Sequence, residues 1–415
     1  MYRAIALALL LASCGEDTTQ SPADQGAAPL DGAPADTAPG LRWLSVSAGG
    51  AHTCAVRSDH TAWCWGSNSN GQLGGGPSPG PGPVRVKGLS GVEEVSADWV
   101  HSCAATADGA AYCWGENDGM QLGDPKAEAS YPSCVSGGCP EPVRVVQLTG
   151  VSAVGTGARH SCAVLADGQV RCWGFNELGQ LGDGDMPNDS ASPSSVLGLV
   201  NAVSVVGSPW HTCAATKDGK AYCWGDNADG NLGVDDPLES DQPIAVPGVP
   251  NVAEVAVGDV HTCARTAGGH VLCFGGNAAG QLGSGTTEAS ATALEVSGPT
   301  GVRSIAAGAD HSCAVDGQGV VWCWGSNGTD ANGDGQPEQV TGKLGQGATI
   351  ENRLKPVTVA GVNNVVAVTA GDDHTCALTA PGEIWCWGSN TDGQLGGGTD
   401  SGSPAPRRVD VPTEE

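Results

Sequence analysis

Histidine and cysteine recur in this chain at a spacing that could hold metal, run thiol chemistry or form disulfides. A histidine stands two residues ahead of one cysteine, and a second cysteine follows ten residues later, in seven copies. The histidines are His52, His101, His160, His211, His261, His311 and His374. The cysteines pair as Cys54 with Cys64, Cys103 with Cys113, Cys162 with Cys172 and Cys213 with Cys223. The remaining copies pair Cys263 with Cys273, Cys313 with Cys323 and Cys376 with Cys386. Each second cysteine precedes an aromatic residue and a glycine, from Trp65-Gly66 to Trp387-Gly388, with Phe274 the only replacement for tryptophan. A group repeated in every copy is most economically structural, because a binding site on a pseudo-symmetric array is made by what differs. The histidines therefore read as strand-end residues hydrogen-bonded to neighbouring loops, and the cysteines as bridged pairs.

Metal chemistry has one further candidate. Asp330-Ala331-Asn332-Gly333-Asp334-Gly335 is a D-x-N-x-D-G loop, and oxygens at alternate positions with glycine at the sixth can wrap a calcium ion. Asp330, Asn332, Asp334 and, at the ninth position, Glu338 are the expected ligands of a structural calcium; Thr341 replaces the usual twelfth-position glutamate. No cofactor is required. The chain holds no H-E-x-x-H, no G-x-S-x-G, no phosphate loop and no dinucleotide fingerprint, so a non-enzymatic role is expected. A lyase or hydrolase with a site at a central channel is the enzymatic alternative.

A repeat of about fifty residues signals a propeller or an array. In the third copy the runs Val151–Val154, Ser161–Leu165, Gln169–Gly174 and Ser195–Leu197 read as strands between Gly, Asn and Asp clusters. Ala166-Asp167-Gly168 fits a three-residue hairpin loop with glycine in the left-handed position. That loop pairs Leu165 with Gln169, Val164 with Val170, Ala163 with Arg171, and Cys162 with Cys172. The cysteines then face each other at a non-hydrogen-bonded site, where Cα atoms approach to about 4.5 Å, within reach of a disulfide. Six copies carry glycine at this loop position and the first carries His60. The fold class expected for residues 41–412 is all-β: a seven-bladed β-propeller of four-stranded blades with disulfide-stapled hairpins. On the strand of the second cysteine, small residues (Ala62, Val170, Val271, Val321) and large ones (Trp63, Tyr112, Trp322, Trp385) occupy opposite sides. The large ones are the expected inter-blade aromatics. Ring closure is expected to bring Pro406–Val411 beside Leu41–Ser47.

These units resemble repeats of the regulator of chromosome condensation family. The elements shared are Trp65-Gly66-Ser67-Asn68 with Gly71-Gln72-Leu73-Gly74, Trp173–Asn176 with Gly179–Gly182, and Trp387–Asn390 with Gly393–Gly396. The resemblance covers about residues 41–412 and implies a seven-bladed propeller. It also implies the chromatin binding and guanine-nucleotide exchange of nuclear members. The hairpin cysteines are additions to that pattern and point outside the cytoplasm.

The first residues agree with export. Met1–Arg3 carries one positive charge, Ala4–Leu11 is apolar and Leu11-Ala12-Ser13-Cys14 follows. This reads as a lipoprotein signal over residues 1–13 with Cys14 lipidated; the apolar run is too short to span a bilayer. Of 17 cysteines, the hairpins use fourteen. Cys134 and Cys139, in the insertion Asp124–Pro142, form an eighth candidate pair. Cys14 is left over, and lipidation accounts for it. Residues 14–40, rich in Pro, Ala and Asp, read as a disordered tether. The expected product is a monomer in a bacterial envelope, at the outer membrane or cell surface, touching membrane only through its lipid.

Charge excludes one class of partner. Lys plus Arg number 18 against 45 Asp plus Glu, for a formal charge of −27, whereas nucleic-acid binding needs clustered positive charge. Binding residues are best sought where the copies differ, in the two positions ahead of each histidine. These are Gly50-Ala51, Trp99-Val100, Ala158-Arg159, Pro209-Trp210, Asp259-Val260, Ala309-Asp310 and Asp372-Asp373. Trp and Arg are enriched in binding hot spots. Trp99, Arg159 and Trp210 are thus the expected anchors of a protein or glycan on one propeller face, with Asp310 and Asp373 completing it.

Overall fold

In every copy the histidine-bearing strand and the strand of the second cysteine form a hairpin that closes in the left-handed region. The turn residue has φ 59° at His60 and 77° to 85° at the six glycines. The turn fixes the register as expected: Cys162 lies opposite Cys172, Ala163 opposite Arg171 and Val164 opposite Val170. A disulfide joins each expected hairpin pair. In the first four blades the bridges run from Cys54 to Cys64, Cys103 to Cys113, Cys162 to Cys172 and Cys213 to Cys223. In the last three they run from Cys263 to Cys273, Cys313 to Cys323 and Cys376 to Cys386. Their paired Cα atoms lie 4.1 Å apart in every case, slightly closer than the expected 4.5 Å or so of a non-hydrogen-bonded pair. Cys134 and Cys139 form an eighth bridge.

The computed structural model describes residues 40–76, 82–135, 137–329, 339–349, 351–398 and 401–412. The chain divides into Met1–Leu41, almost all of it outside the described residues, and Arg42–Glu415. The latter forms seven four-stranded antiparallel sheets. In each, the first strand lies innermost: Trp43–Ala48, Val92–Asp98, Val151–Thr156, Ala202–Gly207, Val252–Val257, Ser304–Ala307 and Val365–Ala370 contact one another around the ring. The second copy's insertion carries the four-residue helix Ala127–Ser130, and the sixth copy's carries a small ribbon pairing Gly328–Thr329 with Gln339–Val340.

The outermost strand of the third blade is Ser190–Ser195 rather than the expected Ser195–Leu197. Its sequence is polar and it forms the outer edge, so no apolar alternation marks it. Its register also breaks between Cys172 and Gly174. Gly174 sits at φ 109°, and a Cβ there would lie 2.6 Å from the Arg159 carbonyl oxygen. The glycine after each core aromatic is therefore dictated by the chain passing over it.

Inter-blade packing centres on those core aromatics. Trp65, Trp114, Trp173, Trp224, Phe274, Trp324 and Trp387 are fully buried. Trp114 of the second blade, for instance, packs with Cys54, Cys64, Leu73 and Val86 of the first. The large residues before the second cysteine are inter-blade, as expected: Tyr112, Trp322 and Trp385 pack half-buried at the rim of the preceding blade's cluster, and Trp63 is buried against the seventh blade. Pleat alternation puts them on the face opposite the cysteine, the same face as the core aromatic two residues on.

Ring closure is by face packing, since each sheet comes from one contiguous stretch of chain. Trp43, Trp63 and Trp65 share a core with Ile384, Leu395 and Val409, and Val46 and Val411 flank it. This bears out the expected juxtaposition of the last strand with the first. Arg57 adds a polar latch. Its buried guanidinium lies 4.5 Å from the Trp63 ring centroid and donates to the Pro412 carbonyl at 2.9 Å.

Candidate functional site: the loop mouth of the ring

Beneath the mouth runs a closed belt of hydrogen bonds. Each histidine Nε2 meets the hydroxyl of the serine or threonine that follows the histidine of the next blade. The pairs are His52–Ser102, His101–Ser161, His160–Thr212, His211–Thr262, His261–Ser312, His311–Thr375 and His374–Thr53, at 2.7 to 2.9 Å. Each hydroxyl in turn donates to a backbone carbonyl, as Ser102 does to Gln72 at 3.0 Å and Thr53 to Gln394 at 3.0 Å. Most core tryptophans donate their indole N–H to the same carbonyl; Trp114 reaches Gln72 at 2.8 Å. With its proton committed to a carbonyl, the hydroxyl must accept from the imidazole, which fixes the neutral Nε2–H tautomer. Burial keeps the rings neutral, pushing His52 and His160 down to about 4 and His101, His211, His261 and His374 to about 3. His311 is held well below its usual value by burial and then by Lys343. The histidines are structural, as their recurrence implies, but their partner is the neighbouring blade's strand rather than a loop.

Above this belt the variable residues break the symmetry. Asp98 and Ser208 occupy a position that is glycine in the other five blades, and Lys343 occupies one that is glutamine or asparagine in the other six. Trp99 adopts φ 23°, its backbone N–H donates to Asp98 Oδ1 at 2.7 Å, and its indole donates to the Asp372 carboxylate. Gly50 lets this happen: a Cβ there would lie 3.0 Å from both Trp99 Cδ1 and Asp372 Oδ2. The second and seventh blades thus meet across the bare loop of the first.

Five carboxylates gather here around one lysine. The buried Lys343 ammonium donates to Asp310 Oδ1, to Asp373 Oδ1 at 2.9 Å and to the Asp372 carbonyl at 3.2 Å. Asp98 and Asp259 have no such cation. Burial and then the Asp372 charge raise Asp98 well above the usual carboxylate range. Burial, then Asp372 and Asp310, push Asp259 up to about 7; burial, then Asp373, pushes Asp372 up to about 6. Negative charge is crowded at this mouth beyond what its one lysine neutralises.

Of the residues expected to bind, Trp99, Asp310 and Asp373 are brought together. Arg159 lies over the Phe175 ring at 5.1 Å and beside Glu116, and Trp210 is 43 % exposed on the fourth blade. These two share the loop face without a hydrogen bond or ion pair to the acidic group among the described residues. Asp98 and Lys343 were not singled out from sequence, although each departs from a position that the other copies hold nearly constant. Asp330, Asn332, Asp334 and Glu338, the calcium candidates, lie outside the described residues, as does Cys14. Among the described residues no group of three or more His, Cys, Asp or Glu side chains is arranged to hold a metal ion. None of their helices is long and apolar enough to cross a membrane.

Solved structures share this architecture. Yeast RCC1 (Prp20), solved bound to Kap60, superposes with TM-score 0.71 at 21% identity over 84% of this chain and 83% of that one. Human WBSCR16 gives 0.69 at 24% identity over 81% and 86%. At such identities the likeness concerns the fold. Among curated proteins, the Arabidopsis thaliana ultraviolet-B receptor UVR8 is 30% identical over 48% of this chain and 45% of its own length. Human RCC2 is 39% identical over 23% of this chain and 18% of its own. The chain thus spans less than half the length of these relatives. RCC1 repeats are matched over residues 365–394 and 381–415. With the RCC1-like domain matched over residues 11–359, and seven such repeats closing the ring, the chain belongs to the RCC1-like family.

Proposed function

We propose that this protein is an exported, lipid-anchored recognition scaffold whose loop mouth engages a protein or glycan partner without transforming it. One observation carries the reading: departures from a seven-fold repeat gather at one mouth, above a belt that is itself invariant and buried. Trp99 and Trp210 are each 43 % exposed there, although no packing role of the repeat demands them. Relatives as different as an ultraviolet-B receptor and one named a probable ubiquitin ligase match stretches of this chain, and a fold alone does not carry a function. Eight disulfides fit an oxidising compartment, and Cys14, left over from those pairs, fits a lipid anchor.

A second reading has a specific observation behind it. Carboxyls pushed up to about 7 and about 6 at Asp259 and Asp372 are suited to general-acid work in a hydrolase or lyase. It ranks lower because no nucleophile or positioned base accompanies them among the described residues.

Both features are tested in one experiment on cells exporting the full chain under its own leader. The unmodified chain is expected in the membrane fraction with its crosslinked partner, and Cys14→Ser in the soluble fraction. The double variant Trp99→Ala with Trp210→Ala should remain at the membrane, lose at least ten-fold of its partner signal and keep its melting temperature within a few degrees. A large fall in stability would assign the two rings to packing, and retention of the partner would remove the mouth as its site.

A further inference from the structure

The mouth offers more than exposed rings, and its chemistry narrows the partner. Five carboxylates lie on one arc, yet Lys343 takes direct contacts from only Asp310 and Asp373. That lysine shows how an alkylammonium is received here: two carboxylates and a backbone carbonyl close on it. Asp259, next along the ring, has no hydrogen-bonding partner for its carboxylate among the described residues. Among the described residues Asp98 is engaged only by the N–H of Trp99. Trp99 follows Asp98 in the chain and Trp210 occupies the equivalent loop of the fourth blade, each 43 % exposed. Such a surface suits the apolar stem of a long cationic side chain and, over the indole faces, its charge.

Resting on the reading above, we propose that the partner is a protein presenting a basic segment, one of whose lysine or arginine side chains enters the mouth beside Asp98, Asp259 and Asp372. Charge complementarity supports this occupant over an acidic glycan or nucleic acid: the chain carries −27 overall, and the channel mouth concentrates that field. The indole of Trp99, tied to Asp372, is the wall against which the side chain would lie. Lys343 is then an in-chain version of the same contact, filling the half of the arc that the partner leaves.

A strongly acidic protein attracts any polycation, so the test compares two faces of the full chain. The probe is a decapeptide alternating lysine and glycine, titrated calorimetrically at physiological salt. Asp108, Asp167 and Asp218, exposed on the hairpin turns of the opposite face, supply a control that removes the same number of carboxyls and at least as much charge. Changing Asp98, Asp259 and Asp372 to Asn should weaken binding at least ten-fold, while Asn at the three control positions changes it less than two-fold. The single change Asp259→Asn, which breaks no hydrogen bond among the described residues, should give at least a three-fold loss if the triple variant fails to fold. Equal weakening by both triples would reduce the effect to bulk charge and overturn the proposal. So would an unmodified chain that ignores the peptide, or one that binds calcium at the mouth in preference to it. If the peptide result is negative while the Trp99→Ala, Trp210→Ala variant still loses the native partner, the basic-segment inference fails and the recognition mouth stands.

Discussion

Acidification from pH 6.5 to pH 5 is expected to cost this propeller about 3–6 kcal/mol, a large part of a domain's usual stability. Seven histidines are buried neutral, with folded values well below the unfolded value of 6.5. Once the pH drops below 6.5 the unfolded chain takes up protons that the folded chain refuses. The contribution of each ring is complete above that pH and is lost as the pH falls toward the folded value, at about 1.4 kcal/mol per unit. Burial explains the refusal, and among the described residues the Nδ1 atoms of His160, His261, His311 and His374 have no hydrogen-bonding partner, so a proton there would be an uncompensated buried charge.

Buried acids work in the opposite direction. Glu94 and Asp259 are raised to about 7, Asp372 to about 6 and Asp98 well above its usual range. The folded state holds these protons and the unfolded state releases them, so these groups recover stability as the pH falls. Seven rings against four acids leave a net slope of about 2–4 kcal/mol per pH unit between pH 6 and 5, and smaller upward shifts at Glu254 and Asp310 flatten it at lower pH. Denaturant midpoints followed by tryptophan fluorescence at pH 7, 6 and 5 should fall steadily. Asn at Asp98 and Asp259 should raise stability at pH 7 and steepen the acid loss. A midpoint independent of pH would mean that the belt is not neutral as drawn.

Reduction is the second large effect. Each hairpin disulfide spans a sequence separation of 10, worth about 2–3 kcal/mol in the chain-entropy model. Loss of all seven would exceed the typical 5–15 kcal/mol of a folded domain. The hairpin cysteines are at most 2% exposed, so a reductant reaches them only when the ring opens, whereas Cys134 is half-buried in its insertion. Quenched alkylation should therefore find the bridge between Cys134 and Cys139 cleaved first, followed by the other seven together as the chain unfolds. Stepwise loss of hairpin bridges with the fluorescence unchanged would show that they contribute little.

How much was readable from sequence depended on where each feature stores its information. The hairpins were legible because Gly168 and its equivalents set a two-fold register that places Cys162 against Cys172. The outer strand Ser190–Ser195 was not, since a half-buried polar edge leaves no periodic trace. The partners of the histidines were equally hidden: Ser102 sits beside His101 in the chain but bonds His52, fifty residues away, because the blades stack in a ring. At the mouth, Trp99 and Trp210 were found by asking which positions vary. Lys343 and Asp98 answer to the same question asked of other columns of the repeat. The bond from Trp99 to Asp372, across the first blade, depends on Gly50 having no side chain and on closure of the ring.

Hydrogen exchange on the full chain, with and without its captured partner, tests the mouth most directly. Protection is expected at 98–100, 210, 259–260 and 371–373, with the hairpin turns at 107–109, 166–168 and 217–219 unchanged. Protection confined to those turns, or to the outer strands, would place recognition elsewhere on the ring and contradict the account.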